Sequence, residues 1–299
     1  KEEIFCSDKI SRGEVIRKIK SETILVNNQG VKPSYVLKVG DVIVIEPQEK
    51  QVAKKGPVPN SKIKIKVISN NDNFLVINKP AGIQVHPDAH EKNRTVVNWL
   101  MAKYPKTRDV HDGSREAELR PGIVHRLDKD TSGVMVIAKN QKTFKALKKL
   151  FQSRQVRKIY LAIVHGQLEK KAGLIEKPLA KAASYKKQTI ASSRTKTKVR
   201  SAVTEYRVMN ATKDYSLLEV YPKTGRTHQI RVHLTSIGHP IMGDALYKGK
   251  GTITASGPLP ERHLLHASQL EFSLAGKKYT FRTALPDEFF GYFPMEVKH

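Results

Sequence analysis

A single cysteine, Cys6, stands among 299 residues. No internal disulfide can form and no thiolate cluster can hold a metal, a usage that suits a reducing compartment. Long apolar runs are missing as well. None approaches the roughly 20 residues of a membrane-spanning helix, and no charged-then-apolar signal segment opens the chain, so the expected location is the cytoplasm. There is no phosphate-cradling GxxxxGK loop and no GxGxxG ahead of a helix, which leaves nucleotide hydrolysis and hydride transfer without a motif. Acidic residues are scarce: 28 Asp and Glu face 54 Lys and Arg, for a net charge of +26. So biased a surface attracts polyanions, and nucleic acid is the expected partner. An anionic membrane would call for a basic amphipathic helix with bulky apolar residues opposite, and none stands out. Aromatics at 7% leave charge, rather than stacking, to supply most of the affinity.

What is present divides along the chain. Residues 1–49 read as a small α/β module. Ser11 and Glu14 form a capping box, Val15, Ile16 and Ile19 fall on one helix face, and Arg12, Arg17, Lys18 and Lys20 fall on the other. Short strands are expected at Ile24–Val26, Tyr35–Leu37 and Val42–Ile45. Residues 50–61 lack apolar periodicity and contain Gly56, Pro57 and Pro59, so they read as a linker.

The remainder, 62–299, is strand-rich and then mixed. Ile63, Ile65 and Val67 alternate with lysines as in a half-buried strand, and Phe74–Ile77 runs into a Pro80/Gly82 turn that should display Lys79. His86 and His90 flank Asp88 but lack a convincing third ligand, so no metal is expected. Helices are expected from Thr95 to Lys103 and after Asn140, where Phe144, Leu147, Leu150 and Phe151 form a stripe. Between them the polar stretch Tyr104–Glu118 reads as a loop at the mouth of a site. Lys158–Val164 reads as a strand apolar on both faces. From Lys170 to Arg200 ten Lys or Arg, Lys186 and Lys187 included, face Glu176 alone. That stretch reads as an RNA-contacting hairpin or loop with little core of its own.

The most informative stretch is Arg120–Gly133, which sets carboxylates between two apolar runs. A carboxylate at such a junction stands on a rigid element and still reaches a substrate. Asp130 suits a turn cap, and Asp128 is the better candidate for chemistry. The string His125-Arg-Leu-Asp128, two residues, then Thr131-Ser-Gly133 resembles the signature of the RluA-type pseudouridine synthases. Asn78-Lys-Pro-x-Gly82 with Val85-His-Pro87, Lys158-x-Tyr160, and Gly225-Arg-Thr-His-Gln-x-Arg231-Val-His233 resemble further motifs of that family. Residues 11–46, with Val26-Asn27 and Gly40-Asp-Val42, are similar to the alpha-L RNA-binding domain of a small-subunit ribosomal protein, its first helix largely missing before Ser11.

The resemblance implies an α+β catalytic domain with a mixed, largely antiparallel central sheet flanked by helices and loops. It implies uridine isomerisation in RNA, ribosomal before transfer RNA, by a monomer without cofactor. Asp128 would be the catalytic carboxylate, Tyr160 the residue against the target base, and Arg231 the partner of the aspartate. Arg126 would help push the base from its stack. Arg12, Arg17, Lys18, Lys186, Lys187 and Arg226 would hold RNA. A guanidinium beside Asp128 would also keep it ionised on charge grounds alone. His228 and His233 read as hydrogen-bonding scaffold. A nucleic-acid N-glycosylase using Asp128 as base and an RNA-binding ribosome-assembly factor with an inert site are the rival readings.

Overall fold

The computed structural model describes residues 15–16, 18–19, 21–45, 56–114, 117–182, 187–249 and 260–293. The chain divides into two compact units, Lys1–Gly56 and Pro57–His299.

In the first unit Val15, Ile16, Lys18 and Ile19 are helical, as expected. Arg12, Arg17 and the Ser11/Glu14 capping box lie outside the described residues. Three short strands, β1 (Ile24–Val26), β2 (Gln29–Gly30) and β3 (Ile43–Ile45), form an antiparallel sheet in the order β2-β1-β3. Tyr35–Leu37 is not a strand. Asp41 accepts hydrogen bonds from the Lys38 amide (2.8 Å) and the Tyr35 hydroxyl (3.1 Å), and Asn27 reaches both Asp41 and the Val42 amide. These local bonds curl the segment away from a ladder, which Asp and Asn commonly do.

The second unit is built on one nine-stranded sheet. Its path is β4 (Lys66–Asn70), β5 (Phe74–Lys79), β6 (Ser132–Ala138), β13 (Leu265–Leu274), β7 (Arg157–His165), β12 (Tyr215–Pro222), β11 (Val203–Ala211) and β8 (Ala172–Glu176). β14 (Lys277–Arg282) pairs with β13, off this path. Every pair is antiparallel except β6 with β13. The α+β class and the mixed, largely antiparallel sheet agree with the sequence reading.

Both faces of β5 and β6 are covered, which is why they are continuous apolar runs rather than alternating ones. Leu75, Ile77, Met135 and Ile137 pack under helix α1 (Val96–Lys103) with Val97 and Leu100. Phe74, Val76, Val134 and Val136 pack on the other face under helix α2 (Gln141–Gln152) with Phe144 and Leu147. Each such side chain removed from water contributes about 1.5 to 3 kcal/mol. Thr95 and Asn98 form a capping box on α1, and Asn140 caps α2 through the Thr143 amide. Gly133 enters β6 at φ +122°, where a Cβ would lie 2.2 Å from the Ala267 carbonyl oxygen. Only glycine allows the parallel strand to approach so closely.

Three expectations are corrected. Regular pairing begins at Lys66, not Lys62, because Ile63 leaves the sheet line to join the core beneath α1. The Lys170–Arg200 stretch has more core than its charge suggests. Within it β8 is a sheet edge with Ile175 buried, and β9 (Leu179–Lys181) pairs with β10 (Gln188–Ile190) over buried Leu179 and Ala180. The Tyr104–Glu118 segment carries two short 3-10 turns, and none of its described residues lines the cleft discussed below.

Residues 57–61 belong with the second unit. The Val58 carbonyl accepts from Asn98 Nδ2 (2.7 Å), and the Asn60 amide donates to the Asn98 carbonyl (2.9 Å). A chain of residues 57–299 is therefore expected to unfold in one cooperative urea transition. Cutting on through Ser61 orphans part of buried Asn98, and the unfolding free energy should fall by about 1 to 3 kcal/mol, seen as a lower midpoint. Equal midpoints for the two cuts would show that these bonds contribute nothing.

Candidate active site

The loop of residues 120–131 carries Asp128 to the wall of a cleft of about 550 Å³. His125, inside this loop, accepts the Val136 amide through Nε2 (3.0 Å) and stacks on Phe151 with ring centroids 4.4 Å apart. Burial, with nearby Lys158 adding to it, depresses His125 to about 3, so the neutral ring ties the loop to β6.

Across from Asp128, helix α3 (Gln229–Thr235) presents Arg231. The turn before α3 is pinned by buried Gln229. Its Oε1 accepts from the Thr224 hydroxyl (2.6 Å) and the Arg226 amide (3.1 Å), and its Nε2 donates to the Val203 carbonyl and Thr204 Oγ1. Arg231 Nη1 donates to Asp128 Oδ2 at 3.2 Å. Its stronger partner is Asp244, which it grips in bidentate fashion through Nε (2.7 Å) and Nη2 (2.8 Å). The Asp244 side chain is 1% exposed, against 19% for Asp128. Burial works against the Arg231 charge, but Asp244 and then Asp128 outweigh it and hold its pKa above the ordinary value. Burial likewise opposes the Asp244 charge, yet the Arg231 bonds and the Leu246 and Tyr247 amides keep that carboxyl below its usual range.

Tyr160, on β7, lines the same cleft. Burial first, and then the Asp128 charge, push its phenol up, so it stays protonated at neutral pH. Arg126 stands exposed at the rim with Nη1 donating to His86 Nε2 (3.1 Å), and Arg226 lines the wall half-buried, its Nε on the Ser201 carbonyl. Asp128, Tyr160, Arg231, Arg126 and Arg226 thus share one cleft. Lys187 is exposed outside it, Lys18 sits in the N-terminal unit, and Lys186 lies outside the described residues. Among the described residues no group of His, Cys, Asp and Glu could hold a metal ion, and no helix is long and apolar enough to cross a membrane.

The RNA pseudouridylate synthase family matches residues 73–236, more than half the chain and the span that holds Asp128, Tyr160 and Arg231. The chain belongs to this family. A ribosomal large subunit pseudouridine synthase D of Borreliella burgdorferi is 35% identical over 290 residues, which cover 96% of this chain and 84% of that protein. An uncharacterized RNA pseudouridine synthase of Bacillus subtilis is 32% identical over 280 residues, 93% of this chain and 87% of that one. Among solved structures, human RNA pseudouridylate synthase domain containing 1 matches with a TM-score of 0.60 at 26% identity, covering 77% of this chain and 86% of that one. The family read from the signature and its three further motifs holds, and the chain is an RNA pseudouridine synthase that isomerises uridines.

Several features of this synthase site were not foreseen. Lys79 is not displayed by its turn but fully buried, and Nζ donates to the carbonyls of Pro80 (2.8 Å), Ile83 (2.8 Å) and Lys129 (2.9 Å). Burial drags it to about 7 while Asp130 and Asp128 pull it back. The Pro80/Gly82 turn folds back over the side chain, and its carbonyls need the donor. Lys79→Met should therefore lower stability by about 2 to 4 kcal/mol in urea, since three carbonyls lose the ammonium that donates to them. The Lys129 carbonyl adjoins Asp128, so activity should fall as well; an unchanged midpoint would remove the ammonium from the loop's support.

His233 is the expected scaffold, with Nε2 donating to the Lys177 carbonyl and Nδ1 accepting from Thr204. His228 makes the expected hydrogen bond and also stands beside Asp128. It sits at φ +54°, bonds the Tyr247 hydroxyl through Nδ1 (2.8 Å) and brings Nε2 to 3.9 Å from Asp128 Oδ2. A non-glycine residue held there marks a position the surroundings over-determine. Asp244 was visible in the sequence only as part of a Gly-Asp pair. Its proximity to Arg231 follows from the path between α3 and residue 244, which no local periodicity encodes.

Proposed function

We propose that Asp128 is the catalytic carboxylate of this isomerase and that the uridines it serves lie in large-subunit ribosomal RNA. The observation that carries the first part is the Asp128–Arg231–Asp244 chain. A guanidinium fixed by a buried carboxylate is an arrangement that holds a cleft carboxylate in one direction through a charge-assisted hydrogen bond. The reaction breaks the bond from ribose to the base nitrogen N1, turns the base and rejoins it through C5. N1 gains a proton and C5 loses one, so no oxidant or cofactor enters the balance.

Whether Asp128 attacks the sugar or removes a ribose proton, it must be charged and aimed at the ribose. Tyr160, neutral in the cleft lining, packs on the target base, and Arg126 at the rim pushes that base out of its stack. The names borne by relatives such as the Borreliella burgdorferi protein support the ribosomal target. The basic N-terminal unit, through Lys18 and its neighbours, would add sequence-independent affinity. We take the protein to act as a monomer in the cytoplasm.

The test is a map of pseudouridines in ribosomal and transfer RNA from cells with and without this chain. The reading expects positions in large-subunit RNA to disappear. Loss confined to transfer RNA would overturn the target, and an unaltered map would overturn the whole proposal.

A further inference from the structure

The cleft wall is far more cationic than a neutral uracil or ribose requires. Asp128 is its one acid among the described residues, and most of the facing cations are already occupied. Arg231 is held by Asp244, Lys148 pairs with Asp112, Lys223 pairs with Glu205, and Arg126 rests on His86. Three are left. The side chains of Arg154 and Lys158 make no hydrogen bond or ion pair with any described residue, and the Arg226 side chain uses only Nε, leaving its terminal nitrogens without an acceptor among the described residues. The three are mutual neighbours: Lys158 is depressed to about 8 by burial and then by Arg154, and Arg226 is lowered by burial and then by Arg200 and Arg154. Lys158 Nζ lies 4.0 Å from where a Cβ of Gly225 would stand, directly before Arg226. Like charges gathered in one wall, none paired with a carboxylate among the described residues, raise the free energy of the empty site, and an anion offsets it.

A second observation is independent of charge. Helix α2 ends in a Schellman turn, in which the Arg154 amide donates to the Phe151 carbonyl (3.3 Å) and the Gln155 amide to the Leu150 carbonyl (2.9 Å). The left-handed residue of that turn is ordinarily glycine, sometimes asparagine. Here it is Arg154, at φ +61°. An arginine in this conformation is strained, yet its side chain lines the cleft.

We propose that Arg154, Lys158 and Arg226 form a phosphodiester clamp that grips the RNA backbone beside the extruded uridine. The assignment rests on the reading of the Asp128 cleft as the uridine site. Lys158 shares a strand face with Tyr160 two residues on, so backbone phosphate and target base would be held from one strand.

A labelled oligouridylate of 12 nucleotides is a suitable probe, because every position offers a uridine and every linkage a phosphate. Its affinity would be measured by fluorescence anisotropy across salt concentrations. For single strands each lost phosphate contact should reduce the log–log salt slope by about 0.7, so Arg154→Gln/Lys158→Gln/Arg226→Gln should flatten it by about 2. Lys142→Gln/Lys145→Gln, on the outer face of α2, serves as the control and should leave the slope nearly unaltered. Arg154→Gly gives a result of mixed sign: relief of the left-handed strain should raise the melting temperature by about 2 to 4 °C while affinity falls. Wild-type slopes in the triple variant would overturn the clamp, as would Arg154→Gly that binds as tightly as wild type. Asp128→Asn should keep the slope. If that variant also kept its isomerase rate, the uridine-site reading would fail while the slopes still reported on the clamp.

Discussion

Asp128→Asn is expected to reduce pseudouridine formation by about a thousandfold or more at saturating RNA, in a protein that still folds and binds. Asparagine keeps the shape and one acceptor oxygen for Arg231, but it cannot attack a sugar carbon or take a proton. Loss of a positioned carboxylate of this kind removes about two to four orders of magnitude in rate. The fold should tolerate the change because Arg231 retains the bidentate grip of Asp244, the more buried of its two partners. RNA affinity should hold or rise slightly, since the substitution deletes the one acid among the described residues lining the cleft. The decisive measurement is a single-turnover assay beside a thermal melt and a binding isotherm. A rate within about tenfold of wild type would transfer the catalytic role to another group.

How much of this site could be read beforehand depends on the range of the interaction involved. Asp128, Tyr160 and Arg231 were picked out by the family resemblance of the motifs that hold them, and the structure brings all three to one cleft. Local periodicity gave β5, β7, α1 and α2, whose apolar stripes and caps lie within a dozen residues. Lys158 could have been found the same way, since alternation along β7 puts it on the face of Tyr160. Lys79 could not. Its burial follows from the turn folding over it and from the Lys129 carbonyl, 50 residues away in sequence. Tyr35–Leu37 failed for the opposite reason: its β-prone residues were overruled by side-chain bonds from Asp41 that propensity does not count. The basic Lys170–Arg200 stretch does hold a hairpin, as expected, but its core was hidden because the burial of residues such as Ile175 and Leu179 depends on elements distant in sequence.

Arg231→Leu should be costlier to the fold than Asp128→Asn, and for a different reason. The arginine is the counter-charge of Asp244, whose side chain is 1% exposed, and its removal leaves a carboxylate buried without a cation. Breaking a buried pair from one side costs about 3 to 5 kcal/mol, far more than the net worth of the pair itself. The Asp244 carboxyl is depressed in the folded wild type, so its contribution is present above the unfolded carboxyl pKa of about 4 and is lost as pH falls through the folded value. In Arg231→Leu that order should reverse. The orphaned carboxyl would rise, and the variant would be penalised most at neutral pH and recover partly towards acid. Arg231→Leu/Asp244→Leu removes both charges and should regain most of the lost stability, because two apolar side chains replace a pair that had to be desolvated. Neither variant should regain the rate, since Asp128 would have lost the guanidinium that directs it. Urea midpoints measured between pH 5 and 8, with single-turnover rates on the same preparations, separate the two effects. A single variant as stable as the double would show that Asp244 is held by its backbone amide donors rather than by Arg231. A double variant with wild-type rate would show that Asp128 needs no cation at all.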